Sequence, residues 1–486
     1  MVSLPDRLTG RRAQPPGPSS IQVGAEPAGH HAAEARDKLA ELHGVAHLSP
    51  KETSAVLADK LRPAGAWFGV IVLLLIALIG MTLGGLLFLP TMFGTGATVS
   101  AGYAAGTLSW LISTAQAAPL LAIVTRLSFG LWAVPARRVG ELFAFAGLVT
   151  TPLFWWLLLQ RPAPKAWSGF WFGWPLADGW SVLAMTLLSL AGMMLLSLTA
   201  LPDLSSADAG EAQRTIAGWR GSPRQWHVLE AGIGALGICY LALYVYVQLI
   251  VTTELALVLV PGWNSAVAPA QQVVSGLAGG VALTLVSLAL ICRAGAQHLV
   301  GLDPFWNGAK LLLGLAPISL YFTWAEALTY WYGRTPQERW LLDTLMFGPP
   351  LGLFLAGVLL MTMLPFAMLL RAEARQTYRW PVIAGGAVLV GTYLDRMRMF
   401  GVSWTVASSE TSSELLALTG LAPGLRAPAP VDWLVMLSAP LIVALLVLAA
   451  AHWIPLISIW EYSRDRMYRV GRPFLETAIA IIGRPR

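Results

Sequence analysis

The chain has 486 residues, 56% hydrophobic and 12% charged, against roughly 25% charged in an average soluble domain. Its twenty-one tryptophans and eleven tyrosines suit a protein with many membrane–water interfaces. This composition excludes a water-soluble globular domain, and no nucleic-acid partner is expected.

Residues 1–62 read as a cytoplasmic tail. Their first half is rich in Pro and Gly and carries Arg7, Arg11 and Arg12 without an apolar core, so it does not read as a signal peptide. A short helix is predicted over "HAAEARDKLAEL". A second is predicted to start at "SPKETSAVLADKL", with Ser49 as N-cap, Pro50 at the first helical position and Glu52 completing a capping box.

Ten apolar segments follow, each near the roughly 20 residues a bilayer requires. They are 66–90, 101–125, 139–160, 178–201, 228–260, 266–292, 309–332, 342–370, 380–404 and 430–456. The fold class is therefore an all-α polytopic membrane protein with about ten transmembrane helices across residues 63–460, followed by a cytoplasmic tail, 461–486. The fifth segment exceeds what a bilayer needs and should tilt or project. Pro349, Pro350 and Pro365 predict a kink in the eighth.

Loop charge orients the segments. About 25 of the 32 Lys and Arg precede span one, follow spans two, four, six and eight, or lie at the C-terminus. The opposite loops hold only Arg161, Lys165, Arg334, Arg339 and Arg426. By the positive-inside rule both termini are cytoplasmic.

With that orientation, Glu254 on span five and Glu326 on span seven fall at similar depths near the outer face. Asp395, Arg396 and Arg398 fall in the outer half of span nine. A charge at a bilayer's centre costs about 2.5–3.5 kcal/mol on insertion scales. Such groups are expected to pair in the bundle interior, either around a ligand or ion path or as a static clamp on helix register. Arg398 either joins them or snorkels to the interface. Glu230, Tyr240, Tyr244 and Tyr246 along span five form a candidate proton route from the cytoplasm, or are simply interfacial and packed.

The two cysteines, Cys239 and Cys292, lie in separate apolar segments and read as buried hydrophobes. They are too few to ligate an iron–sulfur cluster. The seven histidines are not spaced as paired haem ligands. No metal site, haem or iron–sulfur ligand set is expected in this chain.

"GWRGSPRQWHVLE" before span five and "VLVPGWNSAVAP" after it resemble the matching segments of the NrfD/PsrC superfamily. Within it the chain is most similar to the NrfD-like membrane protein of alternative complex III, a bacterial quinol:electron-acceptor oxidoreductase. The resemblance continues through "HLVGLDPFWNGAK", "AEALTYWYGRTPQERW", "FGPP" and "YLDRMRMF", and more weakly through "LLLQRPAP", "GWSVLAM" and "HWIPLISIWEY". It covers most of residues 65–465.

This resemblance implies ten helices arranged as two four-helix bundles plus peripheral helices, in the bacterial inner membrane. It implies a quinol (menaquinol or ubiquinol) bound near the periplasmic face. Electrons would pass to a periplasmic iron–sulfur protein of molybdopterin type, alongside other membrane subunits and cytochrome c subunits. The family's acids correspond to Glu254 and Glu326, and its acid–arginine pair to Asp395 and Arg396. Gln116 stands where the family has a histidine, Ser181 where it has an aspartate, and Asn264 where it has a second histidine.

The expected site is a quinol among Gln116, Trp180, Ser181, Glu254, Trp263 and Asn264. Glu254 would be the base, Gln116 and Ser181 would orient the ring, and Trp180 and Trp263 would bracket it. Glu230, Glu326, Asp395 and Arg396 form the polar or proton path. Two rival readings are a non-redox anchor or proton-conducting subunit of such a complex, and a solute transporter. The off-centre charges and the lack of a sequence repeat speak against the transporter.

Overall fold

A computed structural model describes residues 65–93, 100–161, 177–206, 218–408, 425–474 and 477–482. The two helices expected before residue 62 lie outside the described residues. Nine helical segments among the described residues are long and apolar enough to cross a membrane, which makes this a polytopic α-helical membrane protein by length and composition.

In chain order the helices are α1 (Gly65–Phe93), α2 (Ala101–Thr114), α3 (Ala118–Leu127), α4 (Val134–Leu142), α5 (Gly147–Gln160), α6 (Ala177–Ser206), α7 (Pro223–Leu255) and α8 (Val267–Ile291). They continue with α9 (Asp303–Gly333), α10 (Pro336–Leu342), α11 (Leu351–Val358), α12 (Leu364–Leu369), α13 (Arg379–Ser408), α14 (Pro430–Trp453) and α15 (Ile459–Tyr468). Two antiparallel strands, β1 (Arg469–Phe474) and β2 (Thr477–Ile482), close the chain, pairing Arg469 with Ile482 and Phe474 with Thr477. The sequence reading anticipated no strand there.

α13 is 30 residues long, but Arg379, Asp395, Arg396 and Arg398 keep it outside the nine apolar segments. α7 runs 33 residues, about 50 Å at 1.5 Å per residue, against a hydrocarbon core near 30 Å. Its start is fixed chemically: Ser222 and Gln225 form a reciprocal capping box around Pro223. α10 begins the same way. The Thr335 N–H donates to Glu338 and the Glu338 N–H to the Thr335 hydroxyl. Those Thr335 hydrogen bonds, from backbone and side chain, hold the Glu338 carboxyl below its usual range.

The eighth segment is interrupted, as its prolines predict. Pro349 and Pro350 sit between a π-helical turn at Asp343–Phe347 and α11. A second π turn, Leu359–Met363, precedes Pro365, a local adjustment of the kind that accommodates proline inside a membrane helix.

α8 lies at the centre, packed against α2, α9 and α13. α2, α5, α6 and α7 contact one another, as do α9, α11, α12 and α13, and α14 pairs with the peripheral α1. The apolar stretch of α1 is unburied, with Leu73 68% and Ile76 63% exposed. Such faces suit contact with acyl chains. Two landmarks define the ends. At one, Phe68 stacks on His452 with ring centroids 4.2 Å apart; at the other, the Ser100 N–H donates to Asp432 (2.6 Å).

Candidate functional site

Three helix ends meet at Glu254. It lies in the last turn of α7, Ser181 in the second turn of α6, and Arg161 just past α5, all at the Asp432 end. The Ser181 hydroxyl donates to Glu254 Oε1, and Arg161 Nη1 lies 3.4 Å from Oε2. Ser181 is buried, while the Glu254 side chain remains 17% exposed. A carboxylate that is paired, hydrogen-bonded and still reachable can accept a proton from a ligand and return it to solvent.

The other residues expected around this acid are dispersed. Gln116 sits in the turn between α2 and α3, where its Nε2 donates to Thr150 (2.5 Å) and Ser189 (3.4 Å). Its backbone carbonyl accepts from Tyr240 Oη (2.6 Å). Ser189 lies eight positions along α6 from Ser181, so Gln116 is held about 12 Å deeper than Glu254. Trp180 is 62% exposed on the flank, and Asn264 is exposed in the loop after α7. Trp263 is buried and donates its indole N–H to Glu326 Oε1 (3.0 Å). The two tryptophans expected to bracket one ring thus differ, Trp180 standing exposed and Trp263 bonded to a different acid.

That acid belongs to a second cluster. Glu326, Trp263, Gln271, Gln272, Asp395 and Arg398 line a cavity of about 20 Å³, room for a single water and not for an aromatic ring. Behind it, Arg396 is fully buried. Its Nη1 meets Asp395 Oδ2 at 2.8 Å, its Nη2 meets Ser275 Oγ at 2.7 Å and Ser113 Oγ at 3.1 Å, and the Gln272 carbonyl lies at 3.4 Å. Arg398 turns inward instead of snorkelling: it donates to Asp395 Oδ1 (2.7 Å) and to the Leu345 carbonyl. Asp395 thus joins two guanidinium groups, and Glu326 lines the same cavity. Glu254 does not line this cavity, so the polar residues expected in one pocket fall into two groups.

The tyrosines of α7 also divide. Tyr244 is buried beside Gln248, whose Nε2 donates to Tyr244 Oη (3.1 Å) and Ser113 Oγ (2.9 Å). A polar chain therefore runs from Tyr244 through Gln248 and Ser113 to Arg396. Tyr246 is exposed, and Glu230 pairs at the surface with Arg464, about 15 Å along the helix from Tyr240. Cys239 is exposed and Cys292 half-buried. The expectation that both are buried fails for Cys239, which faces outward from an apolar flank.

The sequence reading missed a third cluster, at the His452 end. Arg126, Arg137 and Arg138 meet Glu141, Asp203 and Glu461, three cations and three anions, all largely buried. Glu461 accepts from Arg126 Nε (2.7 Å) and Arg137 Nη1 (3.3 Å). Arg138 Nη2 donates to Asp203 Oδ2 (2.7 Å), which also accepts from Ser458 Oγ (3.2 Å), while the Trp460 N–H donates to Oδ1 (3.0 Å). The cluster ties α15 to α3, α4 and α6. The signal available in sequence was an acid, Glu141 or Asp203, near the end of each of two apolar segments.

Among the described residues, no three His, Cys, Asp or Glu side chains converge as metal ligands. No protein-family model matches the chain, and no curated protein sequence matches it.

Proposed function

We propose that this chain is the quinol-binding membrane subunit of a respiratory oxidoreductase, in a bacterial inner membrane with both termini cytoplasmic. The ordered likeness to the NrfD/PsrC superfamily and the asymmetry of loop charge support this reading. So does the contact pattern of α2 with α5–α7 and of α8 with α9–α13, which suits two four-helix groups once α13 is counted as a tenth span. The observation that carries it is the Glu254–Ser181–Arg161 cluster: the acid of the series left partly open, at the end assigned to the periplasm.

Oxidation of a quinol to a quinone releases two electrons and two protons. Glu254 takes the two hydroxyl protons of the bound quinol one after the other, passing each to the periplasmic side before it accepts the next. Ser181 fixes the carboxylate's orientation, and Arg161 pairs with its other oxygen. The electrons leave to an iron–sulfur protein docked on that face. Gln116, Ser181 and Asn264 do not accept a proton at neutral pH, so Glu254 acts without a second side-chain base from the family's set. Glu254→Gln should abolish quinol-dependent reduction of the partner in the purified complex while leaving assembly intact. Unchanged turnover rejects Glu254 as the base.

A second reading is a non-redox anchor or proton-conducting subunit. The water-sized cavity joining Glu326 to Asp395 favours it. In that case Glu254→Gln leaves electron transfer unaltered, and Glu326→Gln lowers proton movement in vesicles.

A further inference from the structure

α8 and α13 touch where Gly385 meets Ala282: a Cβ at residue 385 would stand 3.3 Å from the Ala282 carbonyl oxygen. Towards the His452 end the two helices separate, and the start of α9 comes beside them. There they enclose a crevice of about 330 Å³, lined by Arg293 and Arg379, by the aromatic rings of Phe305 and Tyr378, and by Val382 and Ile383. That volume suits a small head group. Arg293 and Arg379 are exposed, and neither has an ion-pair partner among the described residues. Their neighbour Arg375 is occupied by the Leu369 (2.6 Å) and Leu370 (2.9 Å) carbonyls.

The remaining wall is suited to an anion with an apolar tail. Phe305 and Tyr378 pack edge to face at 5.2 Å and form one side. Burial, with Cys292 and Asp303 nearby, pushes the Tyr378 hydroxyl above its ordinary value, and a phenol is in any case an O–H donor at neutral pH. α13 also begins here, and the unpaired N–H groups of its first turn favour negative charge. Below the mouth, Ile383 (51%) and Val390 (52%) are exposed on one face of α13, seven residues apart, with Trp380 (46%) beside the opening. An exposed tryptophan thus stands above an apolar track, under two guanidinium groups without an ion-pair partner among the described residues. Basic crevices of this kind between membrane helices recognise phosphate-bearing lipid head groups.

We propose that the crevice seats the phosphate of an anionic phospholipid between Arg293 and Arg379, with an acyl chain lying along Ile383 and Val390. The inference needs α8, α9 and α13 to cross a bilayer and is independent of the quinol reading.

The test uses the full chain in detergent, titrated with dioleoylphosphatidylglycerol, dioleoylphosphatidylcholine or inorganic phosphate, and read by native mass spectrometry and thermal shift. Phosphatidylglycerol should be retained in preference to phosphatidylcholine and weakened by salt. Its affinity should fall roughly 30-fold in Arg293→Gln/Arg379→Gln, taking about fivefold for each basic group at a membrane surface. Arg371→Gln, an exposed arginine that does not line the crevice, should leave binding unchanged. Equal retention of the two lipids, or an unaltered double variant, overturns the proposal. So does inorganic phosphate giving the same stabilisation, which would mark a free-anion site. The lipid preference and salt dependence of the wild-type chain decide the matter even if the double variant fails to fold.

Discussion

The Tyr244 hydroxyl fills the space that a side chain at residue 276 would need, so this tyrosine reaches its buried partners only across a glycine. A Cβ on Gly276 would also press on Gln248 Nε2 at 3.1 Å and on Ser113 Cα at 3.3 Å. Those are members of the polar chain leading to Arg396, and close helix approach through small residues is how membrane helices gain such contacts. Gly276→Ala should cost about 1–3 kcal/mol by overpacking, seen as a lower thermal midpoint in detergent. Gly386→Ala is the control, because nothing lies within 4 Å of a Cβ there.

The buried pair Arg138–Asp203, 2.7 Å apart with both side chains 0% exposed, should be non-additive. Removing either partner strands the other away from water and should cost about 3–5 kcal/mol. Replacing both, as Arg138→Met/Asp203→Leu, should cost less than the sum of the single changes. A double-mutant cycle on thermal unfolding measures this, and additive losses would mean the pair is not coupled.

Sequence made the spans legible because a lipid-facing helix must be apolar over about 20 residues. It exposed Glu254, Glu326, Asp395 and Arg396 for the same reason, each a charge inside such a run. What it could not give was which charges meet. Glu254 and Glu326 sit at similar depths on their helices, yet one pairs with Arg161 and the other faces Asp395 and Arg398, a matter of helix rotation that hydropathy does not encode. Arg137 and Arg138 counted only as loop charge, since the third apolar run begins after them, whereas the folded chain buries both in α4. Gln116 looked like a ligand of the Glu254 site because its place in the order of motifs says nothing of depth.

The two tryptophans of the expected quinol bracket should behave oppositely. Trp263 is buried and supplies a hydrogen bond to Glu326, so Trp263→Phe leaves that carboxylate short of a donor and should cost about 1–3 kcal/mol. Trp180 is exposed, and Trp180→Phe should stay within about 0.5 kcal/mol. Thermal melting of both variants in one detergent checks the pair; equal losses would mean that the Glu326 contact contributes nothing to stability.

Acid should release the C-terminal helix. Glu461 begins α15 outside the membrane segments. Burial pushes its carboxyl upward, but Arg126 and Arg137 outweigh burial and bring it down to about 2 from 4.5. The carboxyl is thus depressed in the folded state, and the unfolded chain binds its proton first as pH falls. The stabilisation it gives is fully present above pH 4.5, weakens below that, and is gone once the pH falls through about 2. Pepsin works in this window, so cleavage around residues 459–468 should rise steeply between those values in the wild-type chain. Glu461→Gln should be cleaved there at every pH tested, because Arg126 and Arg137 then lose their shared anion. Wild-type cleavage that does not change with pH across that interval would mean that Glu461 does not hold the helix down.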